Sequence, residues 1–98
     1  MRVMLRAHID TQAGNEATRA GALPQAMQKP MEKVKPEAAH FGPSEGVRSC
    51  RIVFDMQDGA EMPVLLEGLF MEPNAEIEIS PVMNAEDLAK GLSQMQSA

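Results

Sequence analysis

The 98-residue chain has no tryptophan and no tyrosine, and it has only three phenylalanines. Proteins that bind bases or sugars by stacking usually use exposed aromatic rings, so this mode of recognition is disfavoured. Nine methionines are present instead. Because methionine is unbranched and fills irregular gaps, we expect a core built from thioethers and aliphatic side chains.

Cysteine is almost as scarce, because Cys50 is the single one. One thiol cannot form an intramolecular disulfide, so nothing indicates a secreted scaffold. The first residues hold too short an apolar run for a signal peptide. No segment approaches the roughly 20 apolar residues of a membrane span. We therefore expect a cytoplasmic protein with no membrane partner.

Positive charge is also in short supply, since the net charge is −5 and the pI is near 4.9. Nucleic-acid binding needs clusters of lysine and arginine, and the sequence has none, so we expect no nucleic-acid partner. A glycine-rich phosphate loop, a Walker lysine and a nucleophile elbow are all missing, and we expect no cofactor. The length suits one domain over residues 1–98, and pairing with a second copy would add buried area to its modest core.

Three segments alternate apolar and polar residues with the period of a strand, Arg2 to Ile9, Val47 to Met56 and Ala75 to Ser80. Residues 37–41 read as a further short strand, joined to the next by a turn over 42–46. Apolar residues from Met62 to Phe70 recur at helical spacing. Asn84, with Asp87 three residues on, indicates the cap of a short last helix.

The region from Gly14 to Lys35 reads as helical but broken. Gly21 weakens its middle, and Pro24 suits the first turn of a second piece. Pro30 predicts a kink or a helix end near Lys29, because proline removes a hydrogen bond from a helix interior. The path of the first helix around these residues is therefore open.

The order of elements, strand-helix-strand twice over with a hairpin between, is the split βαβ pattern of a ferredoxin-like α+β sandwich. Right-handed crossovers place both long helices on one face of a four-stranded antiparallel sheet. The expected spatial order is fourth, first, third and second strand. Cys50 falls in the apolar phase of its strand and is expected to be a buried structural thiol.

The opposite face of this sheet carries the candidate site. His8 and His40 are candidate catalytic residues, as general bases. The candidate ligand-binding residues are Arg6, Arg51, Glu76 and Glu78, of which the two arginines could hold an anion. The face could equally be a dimer interface, or a solvated face whose charges pair across strands. A metal site from the two histidines and Glu78 is disfavoured, because the histidines fall on non-adjacent strands.

Several stretches of the sequence resemble a group of short uncharacterised bacterial proteins whose layout is that of the dimeric α/β-barrel superfamily. They are Arg2–Asp10, Leu23–Pro24, Lys35–Ala39, Phe54–Asp55 and Pro81–Leu88. The resemblance implies that two copies pair through their sheet faces and enclose a cavity. It implies no particular activity, because this fold hosts many.

Three hypotheses for function follow. The first is a homodimeric small-molecule-binding protein without catalysis. The second is a cofactor-independent isomerase or monooxygenase-like enzyme that uses a cavity histidine. The third is a structural or stress-related protein.

Overall fold

The computed structural model describes residues 1–21, 23–71 and 74–97. Its strands are β1 (Arg2–Ile9), β2 (Ala38–Ser44), β3 (Val47–Asp55) and β4 (Ala75–Pro81). Its helices in the described part are α1 (Thr11–Arg19), α2 (Leu23–Val34), α3 (Glu61–Met71) and α4 (Ala85–Ser97).

The strands form one antiparallel sheet in the order β2-β3-β1-β4. This confirms the predicted ferredoxin-like α+β layout and the predicted strand order. β2 and β4 are the edge strands, and each contains a proline, Pro43 and Pro81 respectively. Proline has no N–H to donate to a neighbouring strand, so an edge is where a sheet tolerates it.

The core lies on one face of the sheet, as the alternation predicts. Val3, Leu5 and Ala7 of β1 are buried beside Ile52 and Phe54 of β3. Helix α3 contributes its buried Leu65 and Leu69, while Met31 and Val34 of α2 pack against the same cluster. Helices α2 and α3 therefore cover one face of the sheet, and the other face carries the polar side chains of the strands. We call this other surface the open sheet face, with the charged members Arg6, His8, His40, Arg51, Glu76 and Glu78.

The β2–β3 hairpin turn differs from the prediction. Ser44 pairs with Val47, so the turn is only Glu45 and Gly46 rather than residues 42–46. Both turn residues have positive φ, 54° and 80°, as a type I′ turn requires. The predicted five-residue loop was wrong because Gly42 and Pro43, which usually mark turns, continue an edge strand here.

The first helical region is two helices, and α1 begins at Thr11, before the predicted start at Gly14. The Asp10 side chain accepts a hydrogen bond from the Ala13 N–H at 2.9 Å and caps α1. Gly21, with φ of 73°, lies between α1 and α2.

Helix α2 continues to Val34, so of the two predicted outcomes, a kink or an end near Lys29, the end is wrong. Pro24 falls in the first turn of α2, as expected. Beyond Pro30, Met31 and Val34 are anchored on the core. Their burial offsets the helix hydrogen bond that Pro30 cannot donate.

Helix α4 is joined to β1 by an ion pair between Asp87 and Arg2. Its cap is the predicted one, because the Asn84 Oδ1 accepts from the Asp87 N–H at 2.8 Å and Asp87 reaches back to the Asn84 N–H. None of its residues is buried. The radius of gyration is 15.8 Å, above the roughly 12.6 Å expected of a compact chain of this length.

Candidate functional site

The strand registers arrange the charged side chains of the open sheet face in two rows. In the first row, His40, Arg51, Arg6 and Glu78 lie side by side on β2, β3, β1 and β4. In the second row, Ser49, His8 and Glu76 lie side by side on β3, β1 and β4. The period of two in each strand is what places all these residues on one face.

Arg6 and Arg51 are directly opposite one another, and both are exposed. Like charges opposite each other in a sheet are destabilising. Among the described residues, neither guanidinium has a carboxylate within 4.0 Å. Glu78 is the cross-strand neighbour of Arg6 but does not form an ion pair with it at this distance. The pair therefore presents two guanidinium groups whose charge is not balanced by a contacting carboxylate.

His8 is held by its neighbour on β3. Its Nδ1 lies 2.8 Å from the Ser49 Oγ, and the Ser49 hydroxyl donates to the Val47 carbonyl oxygen at 3.0 Å. A hydroxyl has one proton to donate, so Ser49 accepts from His8. The network thus assigns a proton to Nδ1 of His8, which donates it to Ser49.

The two histidines line separate cavities. His8 borders a cavity of about 300 Å³ together with Asp10, Asn74 and Glu76. His40 borders another, of about 210 Å³, which Arg51 also lines. The structure of one chain therefore does not bring His8 and His40 together. A single strand spacing is about 4.8 Å, and the histidines lie two strands apart and in different rows.

No set of three or more metal-ligating side chains is grouped closely enough to hold a metal ion, within residues 1–21, 23–71 and 74–97. No helix in this described part is long and apolar enough to cross a membrane.

Cys50 is buried, as expected. Burial raises the pKa of its thiol, and a hydrogen bond with the Ala7 backbone opposes this rise.

Two residues with a role in the site geometry were missed by sequence reasoning. Ser49 lies on the same face as His8, and its contact with His8 depends on the register of β1 against β3. Arg48 lies in the apolar phase of β3, two residues before Cys50, and bonds to Asn15. A charged residue in the apolar phase of a strand is the signal that could have singled it out.

Comparison with known proteins does not identify a family. No family model matches the chain, and no curated protein matches it. Among solved structures, the chain is similar to a de novo designed protein, Ferredog-Diesel, with 7% sequence identity and a TM-score of 0.49. That alignment covers 83% of this chain and 85% of the designed one. The fold assignment therefore rests on the strand order and register given above.

Proposed function

We propose that the protein is a homodimer that binds a small anionic molecule between the open sheet faces of its two copies, in the manner of a dimeric α/β barrel. The observation that carries this proposal is the opposed pair Arg6 and Arg51, which lacks a contacting carboxylate among the described residues. An anion between two guanidinium groups relieves their repulsion and accepts bidentate hydrogen bonds. His40, beside Arg51, extends the same row.

The charges of the open sheet face are self-complementary. The acidic residues Glu76 and Glu78 lie on edge strand β4, and the basic row extends toward the opposite edge at β2. A two-fold axis parallel to the strands lays β4 of one copy over the β2 and β3 side of the other. In such an isologous contact, the acidic edge of each copy faces the basic edge of the other. This arrangement is favoured over one in which edges of like charge face each other.

Helix α4 supports the same symmetry. Ala85, Leu88, Leu92 and Met95 recur at steps of three and four, the spacing of a helix-pairing seam. Leu88 and Leu92 are 47% and 50% exposed, and the charged residues of the helix lie off this seam. An isolated helix of 13 residues is marginally stable in water, so its apolar stripe needs a partner. The same two-fold axis directs both copies of α4 to one end, where their stripes can pair.

Charge reversal tests the dimer. Light scattering at micromolar concentration is expected to give twice the mass of the chain. Glu78→Arg should dissociate the dimer by placing a positive charge over the basic β2 edge at His40, and adding His40→Glu should restore it. Glu67→Arg on the exposed surface of α3 is the matched control and should change nothing. A wild-type monomer at micromolar concentration would contradict the proposal.

Anion binding is tested separately by calorimetric titration with inorganic phosphate and with succinate. Arg6→Gln and Arg51→Gln should each weaken binding by about tenfold or more, since a hydrogen bond to a charged group contributes about 1.5–3 kcal/mol. Arg19→Gln, on α1, is the control. Equal affinity in all four proteins would show that the arginine pair does not bind the anion. A dimer that binds neither anion would favour the structural or stress-related hypothesis.

A second candidate function is a cofactor-independent isomerase or monooxygenase-like enzyme. The hydrogen bond from His8 to Ser49 favours it, because Nε2 is then available as a general base near the arginine pair. Deuterium exchange into 2-oxoglutarate, followed by NMR, provides a test. His8→Gln should abolish exchange and His40→Gln should preserve it. Exchange that survives in His8→Gln would exclude this role.

A further inference from the structure

An apolar groove lies on the face of the sheet opposite the open sheet face, where the β2–β3 hairpin passes the start of α1. Its volume is about 510 Å³, within the range of about 300–1,000 Å³ typical of small-molecule sites. The ring of Phe41 is 57% exposed along it. We call it the hairpin groove, and its principal lining residues are Ile9, Phe41, Pro43, Val47, Arg48 and Cys50.

Arg48 is built into the wall of the hairpin groove. Its Nη1 donates a hydrogen bond of 3.0 Å to the Asn15 Oδ1 on α1. A Cβ added to Gly14 would lie 3.0 Å from this same Nη1 and 3.1 Å from the Ile9 Cγ2. The absence of a side chain at Gly14 therefore gives the guanidinium its place against α1.

The charge of Arg48 lacks a contacting counter-ion. The residue is half-buried, and within the described ranges of the chain no carboxylate lies within 4.0 Å of it. Asn15 fills one of the five N–H donors of a guanidinium and brings no negative charge. The N-terminus of α1 is already capped by Asp10, so Arg48 rather than the helix end is the group that would attract an anion.

We propose that the hairpin groove binds a small carboxylate with an apolar alkyl or aryl tail. The carboxylate pairs with Arg48, and the tail packs against Phe41 and Pro43, which share the face of Arg48. The guanidinium of Arg48 is partly desolvated, and its hydrogen bonds to a carboxylate are stronger than hydrogen bonds between two neutral groups. This site is independent of the function proposed above, because Arg48 and Arg51 are three residues apart on β3 and belong to opposite faces of the sheet.

The test is to titrate ¹⁵N-labelled protein with sodium octanoate and, separately, with octanamide, which has the same alkyl chain but no charge. Octanoate should shift the backbone amides of Ile9, Phe41 and Val47 saturably. Octanamide should bind at least about tenfold more weakly, the factor that corresponds to about 1.4 kcal/mol. Arg48→Gln should lose affinity for octanoate by a similar factor and leave the weak binding of octanamide unchanged.

Two further variants make the outcome decisive. Gly14→Ala should weaken octanoate binding, because the guanidinium, 3.0 Å from the position of the new Cβ, must shift by a few tenths of an ångström. Arg51→Gln should leave octanoate binding unchanged, although it should weaken phosphate and succinate binding at the open sheet face. The proposal is overturned if octanoate and octanamide bind equally, if neither binds saturably, or if the shifted amides are those around Arg6 and Arg51. Each variant is first checked for a wild-type amide spectrum outside the substituted site.

Discussion

The imidazole of His8 and the hydroxyl of Ser49 join β1 to β3 through a 2.8 Å hydrogen bond on the open sheet face. Because Ser49 donates its own proton to the Val47 carbonyl, His8 is the donor. One serine thus orients the imidazole and assigns a proton to its Nδ1. This relationship distinguishes His8 from His40 as a candidate base.

Replacement of Ser49 with alanine should remove the preference of His8 for a proton on Nδ1. In the wild-type protein at pH 8, ¹⁵N chemical shifts of the His8 ring should show the proton on Nδ1. In Ser49→Ala the Nε2–H tautomer should gain population, and the free energy of unfolding should fall by about 0.5–1.5 kcal/mol. Ser49→Thr keeps the hydroxyl and should preserve the tautomer. A wild-type imidazole that is mainly Nε2–H would contradict the assigned network.

The loss of stability caused by truncating a core side chain to alanine should depend on the burial of that side chain rather than on its hydrophobicity. Phe54 and Leu69 are each 1% exposed, whereas Leu66 only borders the buried cluster. Phe54→Ala should cost about 3–5 kcal/mol and Leu69→Ala about 2–5 kcal/mol, because each leaves a cavity.

Leu66→Ala should cost less than either of these, and Val64→Ala, at an exposed position, is the control. Urea denaturation at one fixed protein concentration measures all four. If Leu66→Ala is the most destabilising, the orientation assigned to α3 is wrong.

The hairpin turn should be stabilised by glycine at its first position. Glu45 has φ of 54°, and an L-residue with a side chain pays about 1–2 kcal/mol for the left-handed conformation. Glu45→Gly should therefore raise the free energy of unfolding, by about 0.5–1 kcal/mol after the added flexibility of the unfolded chain is counted. Gly46→Ala, at φ of 80°, should lower it. Thermal denaturation of the two variants should shift in opposite directions, and a shift in the same direction would argue against a two-residue turn.

The buried thiol should make stability fall at alkaline pH. Burial raises the pKa of Cys50 above its ordinary value of 9.0, so between these values the folded chain holds a proton that the unfolded chain has lost. The unfolded state is then favoured as the pH rises from about 9, because it binds fewer protons. Denaturation at pH 8, 9 and 10 should show this decline in the wild type and a smaller one in Cys50→Ala. Parallel declines in both proteins would assign the effect to other groups.

Much of the sheet was predictable from the chain because strand alternation is a local property. The period of two in β1 and β3 separated Val3 and Phe54 from Arg6 and Arg51 correctly. The order of elements then fixed the neighbours of each strand, since crossovers have one preferred hand. Asn84 and Asp87 marked the start of α4 through a capping pattern confined to four residues.

The errors occurred where tertiary context overrode a local signal. Gly42 and Pro43 predict a turn, but an edge strand accommodates both, and the turn moved to Glu45 and Gly46. Pro30 predicts a kink or a helix end, and α2 does not end there, because contacts of the following residues with the core extend it to Val34.

The sequence by itself determined the two faces of the sheet, the class of fold and the cap of α4, because each follows from spacing along a short stretch of chain. Only the tertiary structure decided that His8 bonds to Ser49, that Arg6 opposes Arg51 and that Arg48 lies against Gly14. These contacts join residues 34 to 45 positions apart, so they depend on strand register and on helix packing. No periodicity within one segment specifies a register between two segments, which is why the candidate sites emerge only when the chain is folded.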